Sequence, residues 1–187
     1  MSEGKIRGLR GSALEELINM TNEQYKEQGI ALMQKVPTPI TPVTIDQETR
    51  HITLAYFQQK STVDYIGAVQ GLPVCFDAKE CSYDTFALQN IHPHQIDFME
   101  RFEEQGGISF LIIDYTHLDR IFYMPFRDVK RFWDRGQNGG RKSFRFEEID
   151  QTMELHPRGG FTVPYLDMLQ EDLNRREEAG LASPGAE

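Results

Sequence analysis

Apolar positions change their spacing several times along the chain, and each change predicts an element. Leu14, Leu17, Ile18, Thr21 and Tyr25 recur at helical intervals; Ser12 and Glu15 have capping-box spacing before them, and Gly29 can end the helix. Ile30 to Val36 reads as a strand. Pro37-Thr38-Pro39-Ile40-Thr41-Pro42 is too rich in proline for a helix or a central strand. Val43 to Ile45 and His51 to Phe57 predict two short strands around Asp46-Gln47-Glu48-Thr49. Together they suggest a projecting hairpin over about 42–60, too short and polar to add much core, with Tyr56 and Phe57 anchoring its base.

Asp64 to Val69 and Val74 to Glu80 are strand-like runs joined by the turn-forming stretch Gln70-Gly71-Leu72-Pro73. His94 to Gln105 has helical spacing and stops at Gly106-Gly107. Ile108 to Tyr115 is a continuous apolar run, as in a strand buried on both faces. Arg120 to Met124 predicts another strand, Asp128 to Arg135 a basic amphipathic helix, and Gln137-Asn138-Gly139-Gly140 a loop. The order is helix, strands, helix, strands, then helices, without internal repeats: a mixed α/β fold.

The chain has 187 residues, 39% of them apolar and 26% charged, enough for a buried core and too apolar for general disorder. One domain over 12–180 is expected, with a basic arm at 1–11 and a frayed end at 181–187. No stretch approaches the roughly 20 apolar residues of a membrane span, and the first residues lack a signal-peptide pattern. Cys75 and Cys81 alone make neither a disulfide framework nor a four-cysteine zinc site. The expected compartment is the cytoplasm.

Net charge is −9, which argues mildly against nucleic-acid binding, yet distribution matters more than the sum. The segment from Arg127 to Arg145 holds seven basic and two acidic residues, a local +5, while Tyr165 to Glu187 holds six acidic and two basic.

The chemistry concentrates on the 64–80 hairpin. Asp64 is expected opposite Ala78 or Lys79, give or take a register step. Asp77 and Lys79 project from one face, Phe76 and Ala78 from the other. Two carboxylates and an ammonium gathered there would suit Mg²⁺ with retained waters, since adjacent carboxylates repel unless a positive charge lies between them. A solvated face with a weak ion pair would use the same residues, and register decides between the two.

Several blocks together resemble the RecU family of Holliday junction resolvases. They are Asn19-Met20-Thr21-Asn22, Lys35-Val36-Pro37-Thr38-Pro39, Ser61-Thr62-Val63-Asp64-Tyr65-Ile66-Gly67 and Phe76-Asp77-Ala78-Lys79-Glu80. Leu88-Gln89-Asn90-Ile91-His92-Pro93-His94-Gln95, Phe132-Trp133-Asp134-Arg135 and Gly139-Gly140-Arg141-Lys142-Ser143 follow in family order. The resemblance implies a restriction-endonuclease-like fold with a mixed central sheet flanked by helices and a projecting stalk. It also implies a homodimer that nicks four-way DNA junctions symmetrically with Mg²⁺ or Mn²⁺, and contact with the RecA recombinase. Asp64 and Asp77 then match the metal-binding carboxylates, Lys79 the catalytic lysine and Glu15 the glutamate of the first helix. Thr62, Gln89, Arg50, Arg141 and Lys142 are expected at the DNA.

The chain departs from the family in carrying Asp77 where Glu is usual, few fixed cations in the stalk, and a short basic N-terminus. His92 and His94 read as structural or phosphate-contacting residues rather than zinc ligands, because no third ligand has the spacing. Phe132 and Trp133 read as core, and Cys75 as inert packing. Two rival functions use the same residues: a repair nuclease for flaps or nicked duplex, and a junction-binding recombination factor without useful catalysis.

Overall fold

The computed structural model describes residues 13–37, 40–57 and 62–180. The expected basic arm, Ser12, stalk residues 58–60 and the frayed end at 181–187 lie outside them. The first helix, α1 (Ala13–Glu27), buries Leu14, Ile18 and Tyr25 along one stripe, and Gly29 follows it at φ 67°. Strands β1 (Ala31–Lys35), β2 (Ile40–Ile45), β3 (Ile52–Phe57), β4 (Tyr65–Val69) and β5 (Leu72–Cys81) come next. After the short β6 (Thr85–Ala87) and one 3₁₀ turn, α2 (Pro93–Glu104) crosses to β7 (Ile108–Tyr115) and β8 (Arg120–Pro125). Helix α3 (Phe126–Gln137), β9 (Ser143–Arg145), β10 (Glu154–Leu155) and α4 (Tyr165–Glu178) complete the order.

Six strands form the central sheet in the order β1-β4-β5-β7-β8-β10. β5 and β7 run parallel, as the α2 crossover between them requires, and the other neighbours are antiparallel. Each face has its own core. Leu111, Ile113, Cys75 and Phe122 pack against Ile96 and Met99 of α2 and Val129 and Phe132 of α3. Phe76, Phe110, Ile112 and Tyr123 pack against α1 and α4 through Leu14, Ile18, Tyr165 and Leu169. β7 lies between the two layers, so every residue from Ile108 to Ile113 is buried. Ser109 is the polar member of that run, and its hydroxyl donates to the Met99 carbonyl at 3.0 Å.

The β2–β3 hairpin stands apart from the central sheet, consistent with the proline rule: Pro42 lies in a strand, but in a two-stranded one. Its side chains correct one expectation. Val43, Ile45, Leu54 and Tyr56 are each more than half exposed, so the hairpin adds little to the core, as expected, but Tyr56 is no buried anchor at its base. Phe57's side chain lies outside what the structure describes. Short β6 and β9 pair with each other, and β10 borders β8.

Candidate active site

The tight β4–β5 hairpin places the site. Gln70 and Gly71 both have positive φ, 49° and 92°, and close a two-residue turn that pairs Val69 with Leu72. Leu72 and Pro73 therefore belong to the strand, not to the turn. Counting back from Tyr65 opposite Phe76 brings Asp64 opposite Asp77, one residue from the expected Ala78. Beneath this pair, on the opposite face, Tyr65, Phe76, Phe110 and Tyr123 form a ladder of rings with successive centroids 4.7, 4.8 and 4.2 Å apart. Alternation along the strands then presents Asp64 and Asp77 together on the α2–α3 side.

Two backbone hydrogen bonds bind the carboxylates to each other's strand. The Asp64 N–H donates to Asp77 Oδ1 at 3.1 Å, and the Ala78 N–H donates to Asp64 Oδ2 at 2.9 Å. Lys79 is ion-paired with Asp77 Oδ2. Asp77 is fully buried, and its Oδ2 receives no directed hydrogen bond among the described residues. Burial first, then the adjacent Asp77 carboxylate, push the Asp64 carboxyl up to about 7; the Ala78 N–H and the Lys79 ammonium oppose them. Two carboxylates thus share one ammonium.

That donor set fits a hard divalent cation. A buried carboxylate oxygen held only by the Lys79 ammonium, beside a second, proton-hungry carboxyl, offers two oxygen ligands, and among the described residues no cluster of three or more His, Cys, Asp or Glu forms a cage. Few protein oxygens suit Mg²⁺, which keeps several of its waters, better than zinc.

The remaining residues fall into two groups. Glu15, in the first turn of α1, pairs through its carboxylate with Lys35 Nζ at 2.8 Å. The Tyr65 hydroxyl lies 3.3 Å from the Glu15 carbonyl and donates to Asn19 Oδ1 at 2.8 Å, which ties α1 to the residue following Asp64. Glu80 Oε1 accepts from the Leu14 N–H at 3.3 Å, an anchor for the helix start that the sequence reading missed. Thr62 is half-buried two residues before Asp64, and Gln89 is exposed on the 3₁₀ turn Leu88–Asn90. Arg50 lies far along the chain from these, in the exposed β2–β3 turn at φ 57°.

The basic segment is less available than its +5 suggests. Arg127 pairs with buried Asp172, Lys130 with Asp134 and Glu100, Arg131 with Asp128, and Arg135 with Glu148. Arg141 stands 3.6 Å from Glu148, whereas Lys142 is exposed with no side-chain partner among the described residues. Phe132 is core as expected, and Trp133 is only half-buried. Cys75 is sealed beside Ser109, and burial pushes its thiol up to about 12, which suits inert packing.

A mixed sheet with Asp at the start of one hairpin strand and Asp-x-Lys on the next, flanked by helices on both faces, defines a restriction-endonuclease-like nuclease. The sequence model of the Recombination protein U family matches residues 9–171. Relatives named Holliday junction resolvase RecU include that of Pediococcus pentosaceus, 42% identical over 89% of this chain and 88% of its own. Those of Limosilactobacillus reuteri and Lactiplantibacillus plantarum are 39% and 41% identical over 89% and 87% of this chain, and 84% and 81% of their own. The chain belongs to the RecU family of Holliday junction resolvases. Among the described residues no helix is long and apolar enough to cross a membrane.

Proposed function

We propose that this protein is a Mg²⁺-dependent, structure-selective endonuclease that resolves four-way DNA junctions by symmetric nicking as a homodimer. The observation that carries the reading is the paired Asp64 and Asp77 with Lys79 against the buried, otherwise unbonded Asp77 Oδ2. Asp64 and Asp77 would hold the ion, which supplies an acidified water and charge neutralisation at phosphorus. The water oxygen bonds to phosphorus in line, the P–O3′ bond breaks, and the 3′ oxygen leaves as a hydroxyl once protonated. Lys79 Nζ, freed from Asp77, faces the charge that builds on the non-bridging oxygens. Glu15 orients from the first helix, while Thr62 and Gln89 meet the strand being cut.

Two-fold pairing of protomers would set two such sites on opposed strands. The β2–β3 hairpin supports that arrangement, because the exposed apolar side chains of Val43, Ile45, Leu54 and Tyr56 are uncommon on a lone two-stranded ribbon. The test is cleavage of a labelled four-way junction with Mg²⁺ or with EDTA, beside flap and nicked duplex. Paired nicks in opposed strands of the junction alone, lost in EDTA, are expected. Equal cutting of all three substrates would reassign the protein to general repair. No cutting despite tight junction binding would make it a binding factor.

A further inference from the structure

A pocket of about 380 Å³ opens on the Asp77 side of the sheet, and of its lining only Gln89 enters the chemistry above. Its floor is apolar: Leu88 and Ile91 reach it from the core they share with α3. Trp133 forms a half-buried wall, and the amides of Gln89 and Gln137 and the ammonium of Lys142 stand at the rim. Neither amide side chain, nor the indole N–H, nor Lys142 Nζ has a hydrogen-bond partner among the described residues. Every other Lys or Arg from Arg127 to Arg141 faces a carboxylate. An aromatic wall, solvent-exposed amides that can donate and accept, and a cation without an ion pair among the described residues are complementary to one chemical object: a planar heterocycle carrying a phosphate. The volume lies within the roughly 300–1,000 Å³ of small-ligand sites, ample for one base.

We propose that this pocket receives one unstacked nucleobase of the bound DNA. The base stacks on Trp133, Gln89 and Gln137 hydrogen-bond its edge, and Lys142 takes the neighbouring phosphate. A strand crossover supplies such a base at low cost, because stacking is already interrupted there. A site of this kind would give the enzyme a base preference at the cut, which the Asp64–Asp77 centre cannot supply. The inference takes its DNA from the resolvase reading but tests separately from it.

Trp133 is the chain's single tryptophan, so its emission reports on the pocket directly. The full-length protein in EDTA is titrated with a four-way junction, and with the same junction made abasic at the nucleotides flanking the crossover. Anisotropy of a distal dye gives the bound fraction in the same sample. At equal bound fraction, the intact junction should lower Trp133 emission by about twofold and the abasic one should leave it nearly unchanged, as base–aromatic stacking requires. Equal quenching by both, or none by either at saturation, overturns the proposal. If the protein binds no junction, the resolvase reading fails instead, and a single-stranded oligonucleotide against its abasic counterpart decides the pocket by the same criterion. Free deoxynucleotides that quench as well as DNA would also overturn it, by making the occupant a soluble nucleotide.

Two variants add a second readout. Trp133→Leu should weaken DNA binding by about tenfold. Gln137→Ala, at the exposed end of α3 where folding is not at stake, should redistribute cuts among the sites of a mobile junction. An unchanged cut pattern with Gln137→Ala removes the base-reading role whether or not Trp133→Leu folds.

Discussion

The Asp64 backbone N–H donates to Asp77 Oδ1 at 3.1 Å, so each carboxylate of the site is placed partly by the other's strand. Asp77→Asn keeps an acceptor oxygen for the Asp64 N–H but removes the charge and sets an amide NH2 where Oδ2 met the Lys79 ammonium. It is expected to fold as the parent does, to bind junctions equally or more tightly, and to lose cleavage by about a thousandfold or more in single-turnover assays. Asp77→Ala also strips the hydrogen bond and should cost a further 1–3 kcal/mol or so of stability in urea titration.

Ionisation of Asp64 works against the metal-free fold. Its carboxyl titrates near 7 in the folded chain and near 3.8 when unfolded, so the folded state binds the proton more tightly. That stabilisation is complete below the unfolded value and is lost as pH rises through about 7. In EDTA, stability against thermal unfolding should therefore fall between pH 4 and pH 8. Asp64→Asn, which never ionises, should flatten the profile and gain on the order of 2–4 kcal/mol over the parent at the alkaline end. A parallel profile for variant and parent would place the titration elsewhere.

Lys79 neutralises Asp77 in the metal-free protein but need not contribute ligands. Lys79→Ala should abolish cleavage while Mn²⁺ binding, followed by calorimetry, stays within a few-fold of the parent. A loss of metal affinity equal to that of Asp77→Asn would make Lys79 a scaffold for the carboxylates.

The ion-pair map separates two neighbours that the sequence treats alike. Among the described residues Lys142 has no ion pair, whereas Arg141 lies 3.6 Å from Glu148. Lys142→Ala should lower the slope of log affinity against log salt by about 1. Arg141→Ala should lower it less, because that charge is partly met within the protein. Slopes unchanged in both variants would leave the loop off the DNA.

Replacement of residues 45–53 by a short Gly/Ser turn removes Ile45, Ile52 and the Arg50 turn without touching the central sheet. Circular dichroism should stay native, while the junction-to-duplex affinity ratio measured at one salt concentration falls towards unity. An unchanged ratio would assign substrate choice to another surface.

Most of the central sheet was legible because its signal is local. Ile108 to Tyr115 is apolar at nearly every position since both faces are covered, and no other element length suits that run. The sequence puts Asp64 a register step away from its partner because Leu72 and Pro73 read as turn residues, whereas both lie in β5. The two positive φ values at Gln70 and Gly71, which shorten the turn, leave little trace at Gln70. The pairing of Arg127 with Asp172 and Arg135 with Glu148 joins segments remote in sequence, so charge counting along the helix overstated its free cations. The two- and three-residue strands β6, β9 and β10 are too short to carry any period.

The internal pairing of α3's cations bears on how the protein finds its target. Beyond a Debye length, about 8 Å at physiological salt, surface charges are largely screened, so Lys142 acts on DNA only at close range, and the net charge of −9 adds no attraction. Long-range attraction, which lets basic DNA-binding proteins capture duplex quickly and slide along it, is not something a chain of this net charge is expected to rely on. Encounter is governed by collision and retention by close contact. On the proposed reading, such a nuclease is expected to pass over plain duplex and to be held where the shape of the DNA brings phosphates to the few cations that have no ion pair among the described residues.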